Sequence, residues 1–358
     1  MRINLKQTKN PRVELTPQMS MYDSLGQEWR PFIMYFHTPN VRSSTVNTDE
    51  LGFRITHFNG CDYSIGGDEV YSNEVSFIVG GSTAFGVGAT SDRMTLPSLL
   101  SQKSGRLFLN LGGRAFGASQ ELILFSQVAH KYPRTNSVII FSGLNELYLS
   151  RFRHSGGYFG SFYFAEQFKD AMNQSILSPK RKLLKFFLYP IFGEKIDYNR
   201  IRQKDLFKII NSSVGGFSSH KSNTQLFDVE YAVNQLKKNL FIWKKMSQSF
   251  PFQLRFVLQP IPQWCDKDCS EEEAVLFRFL EKEYDGHNIM SKLNKDLYLD
   301  YSVKVRKICT DLGIEFYDIN EMLNDSVSAE NWLFVDRAHL TDQGNMVVSE
   351  RLYNMEQD

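Results

Sequence analysis

The chain has 358 residues, 42% of them hydrophobic and 14% aromatic, enough for one large globular domain or two ordinary ones around a buried core. Lys+Arg 41 against Asp+Glu 40 leaves a formal charge of +1, which excludes an overall field for nucleic acid or an anionic membrane, so a partner has to be recognised locally. No run approaches the roughly 20 apolar residues of a spanning helix, the first residues hold no signal-peptide core, and four cysteines (Cys61, Cys265, Cys269 and Cys309) suit a reducing compartment; the expectation is a soluble cytoplasmic protein.

In chain order, residues 1–73 are rich in Pro, Asn, Tyr and Phe with little periodicity, and are expected to form an N-terminal extension of short strands and loops packed on the core. From residue 74 to 358 the pattern changes. Five apolar, β-branched runs, VSFIVGG from Val75, RLFLNLGG from Arg106, SVIIFSG from Ser137, LRFVLQP from Leu254 and IEFYDIN from Ile314, read as strands buried on both faces. The stretches ASQELILFSQVAHKY, DVEYAVNQLKKNLFIWKKMSQSF and NIMSKLNKDLYLDYSVKVRKICTDLG between them repeat apolar residues at helical spacing. Strands alternating with helices imply a parallel sheet covered on both sides.

Residues from about 150 to 225 interrupt this alternation between the third and fourth strands and read as an insertion that shapes a substrate pocket. Within it SPKRKLLKFFLYPIFGEK sets Lys180, Arg181, Lys182 and Lys185 beside Phe186, Phe187, Tyr189 and Phe192. This reads first as an amphipathic helix with a solvated basic edge; the alternative is peripheral contact of 179–195 with an anionic lipid surface, or with a phosphorylated substrate.

In a parallel sheet the chemistry sits at the strand C-termini, so the segment after each strand carries the functional signal. The first strand runs into VSFIVGGSTAFGVGAT, Val75 to Thr90. Both phosphate-binding readings are weak, since the stretch holds no lysine for a phosphate loop and Gly86-Val-Gly88-Ala-Thr-Ser lacks the third glycine of a dinucleotide fingerprint. A tight glycine turn can instead leave Ser82 at the rim with backbone N–H groups behind it. A serine hydroxyl attacks only when a base takes its proton and a carboxylate orients the base. LFVDRAHLTDQGN offers both, with Asp336 and His339 three residues apart on one loop ahead of a helical pattern. SGLNEL after the third strand adds the Asn145 amide, and NLGGRAFGASQ after the second adds a glycine-rich turn with N–H groups to donate.

These blocks, GGSTAFG, NLGGRAFGAS, GLNE and DRAHLTDQGN in that order between about Glu74 and Glu350, resemble the SGNH (GDSL-like) hydrolases. The resemblance implies a flavodoxin-like three-layer α/β/α sandwich on a five-stranded parallel sheet. It implies Ser82 as nucleophile, His339 as base, Asp336 as the carboxylate that orients it, and an oxyanion hole from Ser82, Gly113 and Asn145. The family's Gly-Asp-Ser is Gly80-Gly81-Ser82 here and its Asn-Asp is Asn145-Glu146; neither change removes a residue with a chemical role. In the second block Ala115 also falls near the expected glycine, and the role belongs to a backbone N–H that alanine has too.

The implied activity is hydrolysis of an O-acyl ester, in narrower form an O-acetyl ester on a carbohydrate, with neither metal nor organic cofactor and no nucleic-acid partner. Two alternatives stand beside it: an acyltransferase with the same triad, and a non-catalytic binding module that keeps the SGNH fold. The oligomeric state is open. Elsewhere, Cys265 and Cys269 lie four apart with no second Cys or His pair at zinc spacing and read as ordinary thiols. Asp285 and His287 read as a helix-end pair, and Glu271, Glu272 and Glu273 as the acidic first turn of a capped helix. Arg54, in VNTDELGFR, reads as part of a surface turn, the alternative being contact with an acidic group of the substrate.

Overall fold

Each of the five apolar runs is a strand in the computed structural model, which describes residues 10–67, 74–176, 226–323 and 327–356. Two short antiparallel hairpins come first, β1 (Gln27–Arg30) with β2 (Met34–His37) and β3 (Thr56–Phe58) with β4 (Cys61–Tyr63). The main sheet contains β5 (Val75–Gly80), β6 (Phe108–Gly112), β7 (Thr135–Ser142), β8 (Gln253–Leu258) and β9 (Glu315–Asp318), all parallel, in the order β6-β5-β7-β8-β9. Counted from β5 this is 2-1-3-4-5, the flavodoxin-like doubly wound order. The crevice of such a sheet opens where the order reverses, at the C-terminal ends of β5 and β7.

Burial on both faces explains why the runs show no polar alternation. In β5, Phe77 points to one side, where its ring meets Phe125 at 5.6 Å and Tyr132 at 5.2 Å between centroids, and Phe125 in turn meets Trp243 at 4.7 Å. The helices Ala118–Val128 and Val229–Ser249 carry those last two rings. Ile78, the next residue, belongs to the opposite core with Leu96, Leu100, Phe277, Val348 and Leu352, contributed by the helices Leu96–Ser104, Glu271–Glu283 and Asp342–Met355. The result is the expected α/β/α sandwich. Full burial of one such side chain contributes about 1.5–3 kcal/mol, so the two faces together hold the strands in register.

Two elements differ from their sequence patterns. The long pattern beginning at Asn288 is broken: one helix spans Asp285–Met290, and a second, Lys295–Leu312, starts afresh where the Asn294 side chain accepts the Leu297 N–H at 3.0 Å. A local side-chain cap outcompetes continuation of the helix there. In the N-terminal segment, the helices Pro11–Leu15 and Met19–Ser24 precede the two hairpins.

Residues 1–151 together with 227–358 form one compact unit, and 152–226 a second. In the second, the described residues include the helices Arg153–Gly156 and Ala165–Ile176. The basic aromatic run from Lys180 to Phe192 lies outside the described residues. Among the described residues no helix is long and apolar enough to cross a membrane.

Candidate active site

Ser82 opens a four-residue helix, Ser82–Phe85, directly after β5. Gly86 ends that helix in the left-handed region at φ 94°, where its N–H reaches the carbonyls of Ser82 and Thr83; a side chain there would be strained. The turn is therefore as short as a strand-to-helix junction allows, and Ser82 is left partly exposed at the rim.

Asp336 and His339 lie on a loop that closes on itself. Phe334 and Leu340 form an isolated antiparallel bridge, the Val335 N–H donates to His339 O at 2.9 Å, and the Thr341 N–H donates to Leu333 O at 2.8 Å. Inside the loop one Asp336 oxygen accepts the N–H groups of Ala338 (2.8 Å) and His339 (2.9 Å), and the carboxylate lies 2.8 Å from His339 Nδ1. His339 Nε2 lies 2.7 Å from Ser82 Oγ. Serine, imidazole and carboxylate thus form one continuous hydrogen-bonded line across residues more than 250 apart in the chain. Burial alone pushes the Asp336 carboxyl up, but attraction to His339 and its hydrogen bond, with smaller help from His287 and Arg12, carry it well below the usual carboxylate range. A carboxylate that stays ionised holds the Nδ1–H tautomer, which leaves Nε2 to accept the serine proton.

The loop is also tied to its neighbours. Glu273 Oε1 accepts the N–H groups of Leu333 and Phe334 at 2.8 and 3.0 Å, and the Thr83 hydroxyl donates to Ala338 O at 3.1 Å. Glu273 closes a capping box with Ser270, as an acidic first turn should, and its second task of holding the histidine loop has no signature in the local sequence.

Asn145 follows β7 and is buried against the nucleophile turn: a Cβ on Gly81 would stand 2.6 Å from its Nδ2, so the amide takes the space over the residue before Ser82. That amide also donates to Phe116 O at 2.6 Å, joining the second and third motif blocks. Glu146 beside it is buried and accepts the Ala118 N–H, and burial pushes its carboxyl up to about 7.

The second block departs from the expectation at Gly113. The Gly113 N–H donates to Gly80 O at 2.9 Å, continuing the β5–β6 ladder, and so is not aimed into the crevice. The N–H groups around it are also engaged: Gly112 donates to Asn110 Oδ1, Arg114 to His37 Nε2, Phe116 to Gly113 O and Gly117 to Gln120 Oε1. Ala115 alone in this turn has an N–H with no acceptor among the described residues, and it sits at φ 61°, the left-handed conformation that glycine normally takes.

Arg54 is neither on a surface turn nor open to a substrate. It is 1% exposed, with Nε on Asp92 at 2.8 Å and Nη2 on Thr45 O at 2.7 Å. Its Nη1 donates to Phe85 O, Gly86 O and the Tyr22 hydroxyl at 3.1, 2.8 and 3.0 Å. Arg54 therefore grips the C-terminal end of the nucleophile helix from the N-terminal segment. Asp285 and His287 fall, as a helix-end pair, in the first and last turns of the short helix Asp285–Met290. His287, its pKa lowered first by burial, also lies within electrostatic reach of Asp336 and His339. Cys265 is a buried thiol, pushed by burial up to about 12, and Cys269 is exposed; both are free.

No family model and no curated protein matches the sequence. Among solved structures the chain is similar to one described as a lipolytic protein of the G-D-S-L family from Desulfitobacterium hafniense DCB-2, at 12% identity and TM-score 0.41 over 79% of this chain and 99% of that one. It is likewise similar to a lipase/acylhydrolase from Enterococcus faecalis, at 9% identity and TM-score 0.42 over 79% and 95%. A third is a carbohydrate acetylesterase family member from Sinorhizobium meliloti, at 10% identity and TM-score 0.38 over 80% and 98%. Values this low carry no chemistry across to this chain. The resemblance to the SGNH (GDSL-like) hydrolases stands on the strand order and on the four motif blocks that the fold gathers at one rim of the sheet.

Proposed function

We propose that the protein is a serine ester hydrolase of the SGNH type, acting on an O-acyl ester through Ser82, His339 and Asp336. The observation that supports this most is the unbroken line from Ser82 Oγ through the imidazole to Asp336, with contacts of 2.7 and 2.8 Å. His339 Nε2 takes the Ser82 proton as Oγ attacks the acyl carbonyl carbon, and the carbonyl π electrons move onto oxygen. The N–H groups of Ser82 and Ala115 and the Asn145 amide receive that oxyanion, Ala115 taking the place first assigned to Gly113. Collapse expels the alkoxide, which is protonated by His339, and leaves an acyl-Ser82 ester. Water, deprotonated by the same imidazole, attacks the acyl carbon and releases the acid and Ser82.

The test is intact-mass labelling with a fluorophosphonate, followed by hydrolysis of a nitrophenyl acetate and acetate release from an acetylated carbohydrate. One adduct on the wild type and none on Ser82→Ala, with ester turnover falling at least about 10³-fold in Ser82→Ala and His339→Ala, is the expected result. A folded wild type that takes no label overturns the activated serine and favours a binding module. Labelling without turnover of any ester, restored by an added alcohol or amine acceptor, overturns hydrolysis in favour of acyl transfer. Turnover of the nitrophenyl ester without acetate release from the carbohydrate removes the narrower substrate.

A further inference from the structure

Ala115 is a strained residue with a spare N–H, and a non-glycine residue stays in the left-handed region, at about 1 kcal/mol or more, only where its surroundings over-determine it. Those surroundings belong to the β1–β2 hairpin. His37, at the end of β2, is 0% exposed; its Nδ1 lies 3.1 Å from Gly52 O and its Nε2 lies 3.1 Å from the Arg114 nitrogen. A carbonyl can only accept, so Nδ1 carries the proton and Nε2 is the acceptor for the Arg114 N–H. Gln27 Nε2 donates to Arg114 O at 3.3 Å, and the Tyr35 hydroxyl donates to Ala115 O at 2.7 Å.

The three peptide planes around Ala115 are therefore each pinned from the N-terminal segment. In a trans peptide the C=O and N–H point in opposite directions, so holding Arg114 O on Gln27 also aims the Ala115 N–H. The His37 ring does one thing more: its centroid lies 4.0 Å from that of Phe85, the last residue of the nucleophile helix. One rigid, buried ring thus touches both the helix that presents Ser82 and the turn that presents Ala115.

We propose that His37 is a positioning residue for the ester reaction: through the Arg114 N–H and the Phe85 ring it sets the spacing between the Ser82 and Ala115 N–H groups that receive the oxyanion. The N-terminal segment then belongs to the catalytic machinery although it contributes no catalytic residue. This rests on the hydrolase reading above. Burial, with Arg114 nearby, holds the imidazole neutral well below its ordinary pKa, which preserves the acceptor at Nε2.

Two substitutions separate the contacts of the ring. His37→Asn keeps a donor for Gly52 O but does not reach Arg114, whereas His37→Gln can place an acceptor where Nε2 stands. We expect kcat to fall about 10–100-fold in His37→Asn with KM within about threefold, since losing an oxyanion donor outright costs about 10²–10³. The affinity for an alkyl boronic acid, whose tetrahedral adduct fills the oxyanion position, should fall by the same factor as kcat/KM, and His37→Gln should recover most of both. Should His37→Asn fail to fold, Tyr35→Phe removes the donor to Ala115 O, together with the hydroxyl's hydrogen bond to Gln120, and is expected to lose about 3–10-fold with the same parallel between kcat/KM and boronate affinity. The proposal is overturned if His37→Asn, or Tyr35→Phe in its place, turns over within twofold of the wild type. It is also overturned if kcat falls while boronate affinity holds. Absence of fluorophosphonate labelling on the wild type is a different outcome, and it removes the hydrolase reading itself.

Discussion

The histidine loop and the nucleophile turn meet at one reaction centre, and both are tied to distant parts of the chain, but they differ in what orients their reacting groups. In the loop from Leu333 to Leu340 the reacting groups are oriented locally: Asp336 gathers two N–H groups and an imidazole from within three residues and a bridge from Phe334 to Leu340 closes the loop, while Glu273 and Thr83 anchor its backbone from outside. The nucleophile helix and the second-block turn are gripped from far upstream, Phe85 by Arg54 at a separation of 31 residues and Ala115 by Tyr35 at 80. A segment that fixes its own geometry carries its chemistry as a short motif. A segment clamped from elsewhere leaves only half of its instructions in its own sequence.

The largest effect is expected on the self-built side. Asp336→Asn retains an acceptor for the Ala338 and His339 N–H groups but turns an NH₂ or an uncharged oxygen towards His339 Nδ1, so the imidazole loses its fixed tautomer and the charge that stabilises it. We expect kcat for a nitrophenyl ester to fall about 10³–10⁴-fold, with far-ultraviolet circular dichroism unchanged. A fall of under tenfold would show that the carboxylate does not orient the base. The sign of the pH effect follows from the depressed carboxyl: its contribution to stability is present above the ordinary carboxylate pKa and is lost only as pH falls below that range.

On the clamped side the expected effect is mainly on stability. Arg54→Met breaks a buried pair with Asp92 and strips Phe85 O and Gly86 O of a donor. Leaving one member of a buried ion pair unpartnered costs about 3–5 kcal/mol, measured as the fall in urea unfolding free energy. Lysine at 54 keeps the charge but not the fork that reaches five acceptors at once, and should recover less than half of the loss. A folded Arg54→Met protein within 1 kcal/mol of the wild type would mean that the nucleophile turn needs no external clamp.

The same contrast governs what was legible in the sequence. All five core strands, and hence the fold, follow from runs such as VSFIVGG, because burial on both faces writes itself as uninterrupted apolar residues. Ser82 and Asn145 were visible because each follows a core strand, and Asp336 and His339 because they stand three apart in a short motif just ahead of a helix, although no core strand leads directly into that loop. The second block offered both Gly113 and Ala115, and the choice between them was not legible, since it depends on which N–H the β5–β6 ladder has already taken. Nor were the roles of Arg54, His37 and Glu273: a buried arginine and a surface arginine look alike in a sequence, and their partners lie tens of residues away. Asn294 has the residue type of a helix cap, but the apolar spacing on either side of it runs on as if one helix continued through it.

The smallest expected effect concerns a second buried carboxyl, behind the clamped side. Glu121 is as buried as Asp336 but has only the Ser142 hydroxyl, at 2.7 Å, as a donor; its other oxygen has no partner, and Glu146 adds a like charge. Burial therefore wins and pushes this carboxyl up to about 8, where Asp336 with its imidazole and two N–H groups went down. The folded state keeps the Glu121 proton after the unfolded chain has released its own, so stability declines as pH rises from the ordinary carboxylate pKa towards 8, by at most about 1.4 kcal/mol per pH unit for this one group. Glu121→Gln accepts from Ser142 equally well and has no proton to lose. Its melting temperature should match the wild type near pH 5 and exceed it near pH 8, a difference of about 1–3 kcal/mol in unfolding free energy, while the Glu146 carboxyl keeps a shallower slope of the same sign in both proteins. Parallel stability curves for the two proteins across that range would mean that Glu121 is ionised in the folded state, and that burial without donors does not hold a carboxyl neutral at this position.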